Sequence, residues 1–239
     1  MTSKDAIIFP KLYEGVLIKR YKRFLADIKL KDGSIITAHS ANTGSMLECS
    51  EPGRTVWLSY HDKPERKYKY SWEIIDMGTS LVGINTGVPN KLVKLSAEAG
   101  LIDELSGYDL VKPEVKTSEG SRLDLCLYKE GRRDCYVEIK NSTLVRNGLA
   151  SFPDAVTARG LKHLKELQRL ITENNRCVMF YLVQRMDSTE FEPAHTIDPK
   201  YAEELKRAYK NGVEILVYDV DITTEYIQIG KKIPFKLNG

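Results

Sequence analysis

Over roughly the first third of the chain, apolar and polar positions alternate with a period near two; beyond Pro89 the period lengthens towards 3.6. Residues 12–20, 24–30, 34–38, 55–60 and 68–76 read as strands, and Asp32-Gly33 supplies a two-residue turn signal between the second and third. Short strands separated by turn residues predict a small β-barrel or sandwich. The stretch 81–90, rich in Gly and Asn, reads as a junction. It divides the chain into an N-terminal domain over 1–84 and a second domain over 85–239.

The second domain mixes both periods. Residues 90–105 carry apolar side chains at helical spacing, interrupted at Gly100, which predicts one or two helices. Two strands are expected after Pro113. A long helix then follows, capped by Asp154, with Ala155, Ala158, Leu161, Leu164, Leu167 and Ile171 as its apolar stripe. Residues 177–183 form a continuous apolar run, as in a buried strand. Residues 198–210 read as an amphipathic helix ended by Asn211-Gly212, and 214–221 and 226–235 as further strands. Strands alternating with helices predict an α/β sheet covered by helices.

Composition narrows this little. Of 239 residues, 42% are hydrophobic and 29% charged, an ordinary globular balance. The net charge of +3 is too small to imply a nucleic-acid partner by itself, so any electrostatic argument must come from local clusters. The four cysteines, at 49, 126, 135 and 177, form no C-x-x-C pair and no zinc-ligand spacing. No signal peptide or membrane-length apolar run is visible, so a reduced, cytoplasmic protein with no membrane partner is expected.

The informative segment is 121–141, which reads as a β-hairpin centred on Gly131. That centre pairs Leu123 with Ile139, Leu125 with Val137 and Leu127 with Cys135, all apolar and all on one face. The other face pairs Arg122 with Lys140, Asp124 with Glu138, Cys126 with Tyr136 and Tyr128 with Asp134. Side chains directly opposed across strands lie about 4.5–5.5 Å apart at Cβ, so Asp124 and Glu138 are expected side by side. Two neighbouring carboxylates repel unless one is protonated or a cation lies between them. Mg²⁺ or Mn²⁺ suits such a pair, since Mg²⁺ takes one or two carboxylates and fills its shell with water and phosphate oxygens. Lys140 is on the same face, two residues on, where it could orient a water or meet charge growing on a phosphate. The competing reading is an exposed hairpin face on which Arg122 and Lys140 neutralise the acids.

An Asp followed by Glu-x-Lys on the next strand resembles the core of the PD-(D/E)XK nuclease superfamily. That resemblance implies metal binding by Asp124 and Glu138, a catalytic Lys140, and an upstream acid at the position of Glu114. Longer motifs are more specific. Ser121-Arg122-Leu123-Asp124, Val137-Glu138-Ile139-Lys140-Asn141 and the run 152–164 resemble the sugar fermentation stimulation protein family. So do 20–27, Asn42-Thr43-Gly44-Ser45-Met46, Gly83-Ile84-Asn85-Thr86-Gly87 and 180–185. The likeness spans about 12–230. Its departures, Ser40, Ala41 and Leu125, avoid the metal-site positions. It implies an N-terminal OB-type barrel, a C-terminal nuclease-like α/β domain, DNA binding, and a link to sugar (maltose) metabolism.

Nucleic acid has two candidate surfaces in the first domain. Lys19, Arg20, Lys22 and Arg23 surround Tyr21 and Phe24; Lys63, Arg66, Lys67 and Lys69 surround Tyr68 and Tyr70. Basic residues interleaved with aromatics suit a groove that tracks phosphates and stacks bases. In the second domain Arg122, Arg159, Lys162 and His163 would flank the metal site, although a lone helical His is more often a surface or satisfied residue. The expected partner is DNA, with RNA as the alternative, and the pattern leaves monomer and dimer equally open. Three function classes follow: a metal-dependent phosphodiesterase, a DNA-binding regulator on a nuclease-like scaffold without turnover, or a small-nucleotide or sugar-phosphate enzyme.

Overall fold

The computed structural model describes residues 5–237. Strand β1 (Ala6–Ile8) belongs to the second domain, which it reaches ahead of the barrel. The barrel is built from β2 (Leu12–Tyr21), β3 (Leu25–Leu30), β4 (Ile35–Ser40), β5 (Thr55–Tyr60) and β6 (Tyr70–Asp76). These run in the order β4-β3-β2-β5-β6, and a parallel β4–β6 pairing closes the ring. That connectivity is an OB barrel. Leu17, Ile28, Val56, Leu58, Trp72 and Ile75 fill its interior, and a register shift between β5 and β6 lets both Trp72 and Ile75 face inward. A short β7 (Leu81–Gly83) extends β6 and leads out of the barrel.

The second domain holds α1 (Val88–Glu98), a 3₁₀ turn at Asp103–Leu105, β8 (Leu110–Ser118), β9 (Ser121–Tyr128) and β10 (Cys135–Ser142). Then follow β11 (Leu144–Arg146), β12 (Leu149–Phe152), α2 (Ala158–Thr172), β13 (Arg176–Val183), β14 (Glu190–Pro193), α3 (Pro199–Lys210), β15 (Glu214–Ile222) and β16 (Tyr226–Lys232). Seven strands form a mixed sheet, β1-β16-β15-β13-β10-β9-β8, with β13 parallel to both of its neighbours. One face packs on α1, the other on α2 and α3. Both faces of β13 are therefore covered, which is why its sequence is apolar without alternation. No helix among the described residues is long and apolar enough to cross a membrane.

The structure departs from the sequence reading in several places. Five strands, β8 to β12, and not two, lie between α1 and the long helix, and Pro113 lies inside the first of them. β8 is the sheet edge, where a residue without an N–H is tolerated. The small sheet β11-β12-β14 and strand β1 were not anticipated; segments of three or four residues are too short to show a period. Helix α2 begins at Ala158, capped by Thr157, whose side chain accepts the Gly160 N–H. Asp154 instead serves the barrel: its carboxylate accepts the Met46 N–H at 2.8 Å, while its carbonyl accepts from Ser45 Oγ at 2.6 Å. Ala155 is accordingly exposed, not part of the helical stripe.

One buried acid lies away from these features. The β15–β16 register shifts at Asp219, whose Oδ1 takes the Lys231 N–H at 2.6 Å. A Cβ on Gly230 would come within 2.2 Å of that oxygen, so glycine is required there. Burial raises the Asp219 carboxyl to about 6. The raised value means that folding favours the protonated acid. This contribution is complete below the unfolded value of about 4 and is lost as pH rises through about 6. Asp219→Asn keeps an acceptor for Lys231. It is expected to stabilise the protein by about 1–2 kcal/mol at pH 7.5, with the gain gone near pH 4, as read by thermal melts across that range.

Candidate functional site

The site forms where β9 and β10 part. The register follows the hairpin centred on Gly131 for Cys135↔Leu127, Tyr136↔Cys126 and Val137↔Leu125. The ladder then ends. The Ile139 N–H donates not to a strand carbonyl but to Asp124 Oδ2, at 2.7 Å. The expected Leu123–Ile139 and Asp124–Glu138 pairs are absent from the ladder for this reason. Leu123 consequently packs with the α2 side of the sheet, and Ile139 with the α1 side.

Asp124 is held at both oxygens, because Asn90 Nδ2 on α1 donates to Oδ1 at 2.7 Å. Burial, with the nearby charge of Glu138, pushes its carboxyl up to about 6. Glu138 is 2% exposed. Its Oε1 receives Lys140 Nζ and contacts His163 Nδ1 from α2, while its Oε2 is buried with no partner among the described residues. Burial alone would raise the Glu138 carboxyl, but His163 and Lys140 bring it below the ordinary range. Lys140 Nζ lies 3.3 Å from His163 Nδ1. Asp124, Glu138, Lys140, His163 and Asn90 thus make one connected cluster.

Such a cluster suits a divalent ion. A buried carboxylate oxygen without a hydrogen bond is costly unless something else satisfies it. Glu138 Oε2 is that atom, and Asp124 is its acidic neighbour. His163 contacts Glu138, but among the described residues no three His, Cys, Asp or Glu side chains are arranged to hold a metal together. The donor set is therefore two carboxylates, the number Mg²⁺ uses when water and phosphate complete its shell. Glu114 is not brought in. It stands on the edge strand at a left-handed φ of 54°, more than half exposed, with Arg122 Nη1 at 3.5 Å from its carboxylate.

Four basic side chains approach from one side. Lys116, Arg122, Arg159 and Lys162 line a cavity of about 580 Å³ that His163 links to Glu138. Lys162 is fixed by Gly120 O at 2.6 Å. His163 is 5% exposed, a helical residue turned to the sheet. The sequence placed it only among the residues flanking the site; its contact with Glu138 follows from the packing of α2 on the sheet. Asn90 had no sequence signal, and joins the cluster only because α1 packs on the sheet.

In the barrel, Lys22 and Arg23 occupy the exposed β2–β3 loop, both at left-handed φ (50° and 65°). Lys67 stands on the β5–β6 loop, its Nζ 5.6 Å from the Tyr68 ring centre. In OB barrels these two loops border the face that binds oligonucleotides. Tyr21 lies beneath Lys19, and its hydroxyl donates to Asp27. Arg20 is turned inward: its guanidinium donates to the carbonyls of Arg23, Asn42, Gly44 and Ser45, so it shapes the 42–45 loop.

Comparison with known proteins agrees with this architecture. A family model described as the sugar fermentation stimulation protein RE domain matches residues 87–226. The chain belongs to the sugar fermentation stimulation protein family. The family's N-terminal OB domain model matches residues 18–84. A sugar fermentation stimulation protein homolog of Geobacter sulfurreducens is 47% identical, with 95% of this chain and 98% of that protein covered. One from Geotalea uraniireducens is 48% identical, over 95% and 97%. The structure of Pyrococcus furiosus SfsA in complex with Ca²⁺ superposes with a TM-score of 0.87 at 27% identity, covering 97% of this chain and 99% of that one.

Proposed function

We propose that this family member is a divalent-metal-dependent phosphodiesterase of the PD-(D/E)XK type, acting on DNA. The observation that carries the reading is Glu138, buried with one oxygen unpartnered, beside Asp124 and Lys140. That the Pyrococcus relative was solved with Ca²⁺ supports a divalent ion here as well. Asp124 and Glu138 would hold Mg²⁺ or Mn²⁺, which supplies a Lewis acid for the phosphate and lowers the pKa of bound water.

The chain's own residues divide the remaining work. Lys140, 13% exposed and tied to Glu138, presents a fixed cation beside the carboxylates for the charge that grows on a phosphate. Arg122, Arg159, Lys162 and Lys116 provide a cationic floor for neighbouring phosphates. Asn90 and the Ile139 N–H hold the Asp124 carboxylate in one orientation. Glu114, away from the carboxylates, would act only by positioning Arg122. Lys22, Arg23 and Lys67 would extend the contact across the barrel. The four buried, unpaired cysteines suit a reducing cytoplasm.

Incubating the purified protein with labelled single- and double-stranded DNA, in Mg²⁺, Mn²⁺ or EDTA, tests this. Cleavage in either metal that EDTA stops supports it; tight binding without cleavage in every condition sinks it. That second result would favour a DNA-binding regulator. One observation suits this alternative: Lys140 and His163 both engage the same oxygen of Glu138. Arg159 is exposed on the first turn of α2. Arg159→Ala is expected to weaken oligonucleotide binding and reduce the log K against log salt slope by about one, with an unchanged melting temperature. Anisotropy titrations at several salt concentrations read it directly.

A further inference from the structure

We propose that the cavity between the two domains, at the end of β10 beyond Lys140, receives one unpaired nucleobase. The substrate class rests on the nucleic-acid reading above; the base-binding chemistry stands on its own. The cavity measures about 210 Å³. Small-molecule pockets usually run to about 300–1,000 Å³, so this one suits a single planar group and not a whole nucleotide.

Its walls contrast with the cationic cavity on the other side of the cluster. Asn42 and Thr43 come from the barrel, Asn141 and Ser142 from β10, and Phe152 and Asp154 from the segment that ends β12. No lysine or arginine lines it, and Asp154 brings a carboxylate, which disfavours a phosphate. Asn42 uses its Oδ1 to accept the Gly44 N–H at 2.9 Å, and Asn141 uses its Oδ1 to accept from Gln184 at 2.7 Å. Each amide NH₂ is left without a partner among the described residues. Two amide donors and a carboxylate acceptor match the mixed acceptor and donor edge of a base. Phe152 is half-buried, its ring supported by Tyr181 and Tyr201 at 5.6 and 5.3 Å between centres, and contributes an aromatic wall.

Position ties the cavity to the chemistry. Glu138, Lys140 and Ser142 alternate along one strand, so they project to one face, and Ser142 lines the cavity. His163 lines the cationic cavity and contacts Glu138. The cluster therefore lies between a place for phosphates and a place for a base. A strand crossing it with one base unstacked would satisfy both, and a fully paired duplex would not fill the second.

The test uses the full chain and adenosine, cytidine, guanosine and thymidine, which carry no phosphate, with binding read by saturation-transfer NMR. At least one nucleoside should bind, and inorganic phosphate should not displace it. Thr43 is exposed at the cavity, so Thr43→Trp fills it without touching the core. This variant should bind the nucleoside about tenfold more weakly, the loss of one base-stacking contact. Asn141→Ala should weaken it in the same direction, and serves if the Trp variant melts early. In parallel, a single-stranded oligonucleotide carrying 2-aminopurine reports base insertion by emission and overall binding by anisotropy. Binding by anisotropy, with no nucleoside affinity and identical emission in parent and Thr43→Trp, overturns the base pocket and leaves the phosphodiesterase reading intact. Nucleoside binding that Thr43→Trp removes, in a protein that cleaves no DNA, supports the pocket and overturns the phosphodiesterase.

Discussion

Glu138→Ala is expected to lower metal-dependent DNA cleavage by about 10²–10³-fold or more while oligonucleotide affinity stays within about threefold. The size follows from where the residue sits. Glu138 is almost fully buried on a central strand, contacts Lys140 and His163, and keeps one oxygen free of hydrogen bonds. Removing it leaves Asp124 as the sole carboxylate of the cluster and frees Lys140 from its anchor. Affinity changes little because the basic side chains expected to meet phosphates lie on β8, β9, α2 and the barrel loops. Glu138→Gln separates charge from packing: it preserves volume and should lose cleavage as completely as the alanine variant. Parent-like turnover in either variant would remove Glu138 from the chemistry and with it the assigned site.

Arg185→Ala is expected to have the largest effect on stability, about 3–5 kcal/mol, because it strands a partly buried acid and two carbonyls. Arg185 is 3% exposed. Its guanidinium meets both Asp187 oxygens at 2.6 Å, and its Nη1 donates to Thr143 O at 3.1 Å and Glu48 O at 3.2 Å. Thr79 Oγ1 donates to the same aspartate at 2.5 Å. The Arg185–Asp187 pair thus joins the segment after β4, the turn between β6 and β7, and the end of β10. Burial would raise the Asp187 carboxyl, but the hydrogen bonds from Arg185 and Thr79 hold it below its usual range. Urea unfolding should show the loss as a lower midpoint. Adding Asp187→Asn to the Arg185→Ala protein should recover part of it, since the unpaired charge is then gone. A loss below about 1 kcal/mol would mean that solvent already screens the pair.

These two residues differ in how far the chain announced them. Glu138 stands two residues before a lysine on a strand whose apolar partners alternate cleanly, and strand geometry alone puts both on one face. Arg185 closes an apolar run, and nothing local distinguishes it from a solvated strand end.

Local physics explains most of what was legible. Period-two alternation with tight turns specified the barrel strands, continuous apolarity specified β13, and Asp198 with Asn211-Gly212 bounded α3. The centre of the 121–141 hairpin followed from which residues could share a buried face. What the sequence by itself could not decide depends on elements far apart along the chain. Asp124 takes a hydrogen bond meant for a strand, and so opens the ladder, only because β9 and β10 diverge there. His163 and Asn90 join the cluster only because α2 and α1 cover opposite faces of the sheet. Asp154 holds the 42–46 loop, and not a helix end, because a barrel domain is packed against it. Strand periods and caps arise within a few residues, so they are written locally; a buried polar group finds its partner only after the layers meet, and that is set by the whole fold.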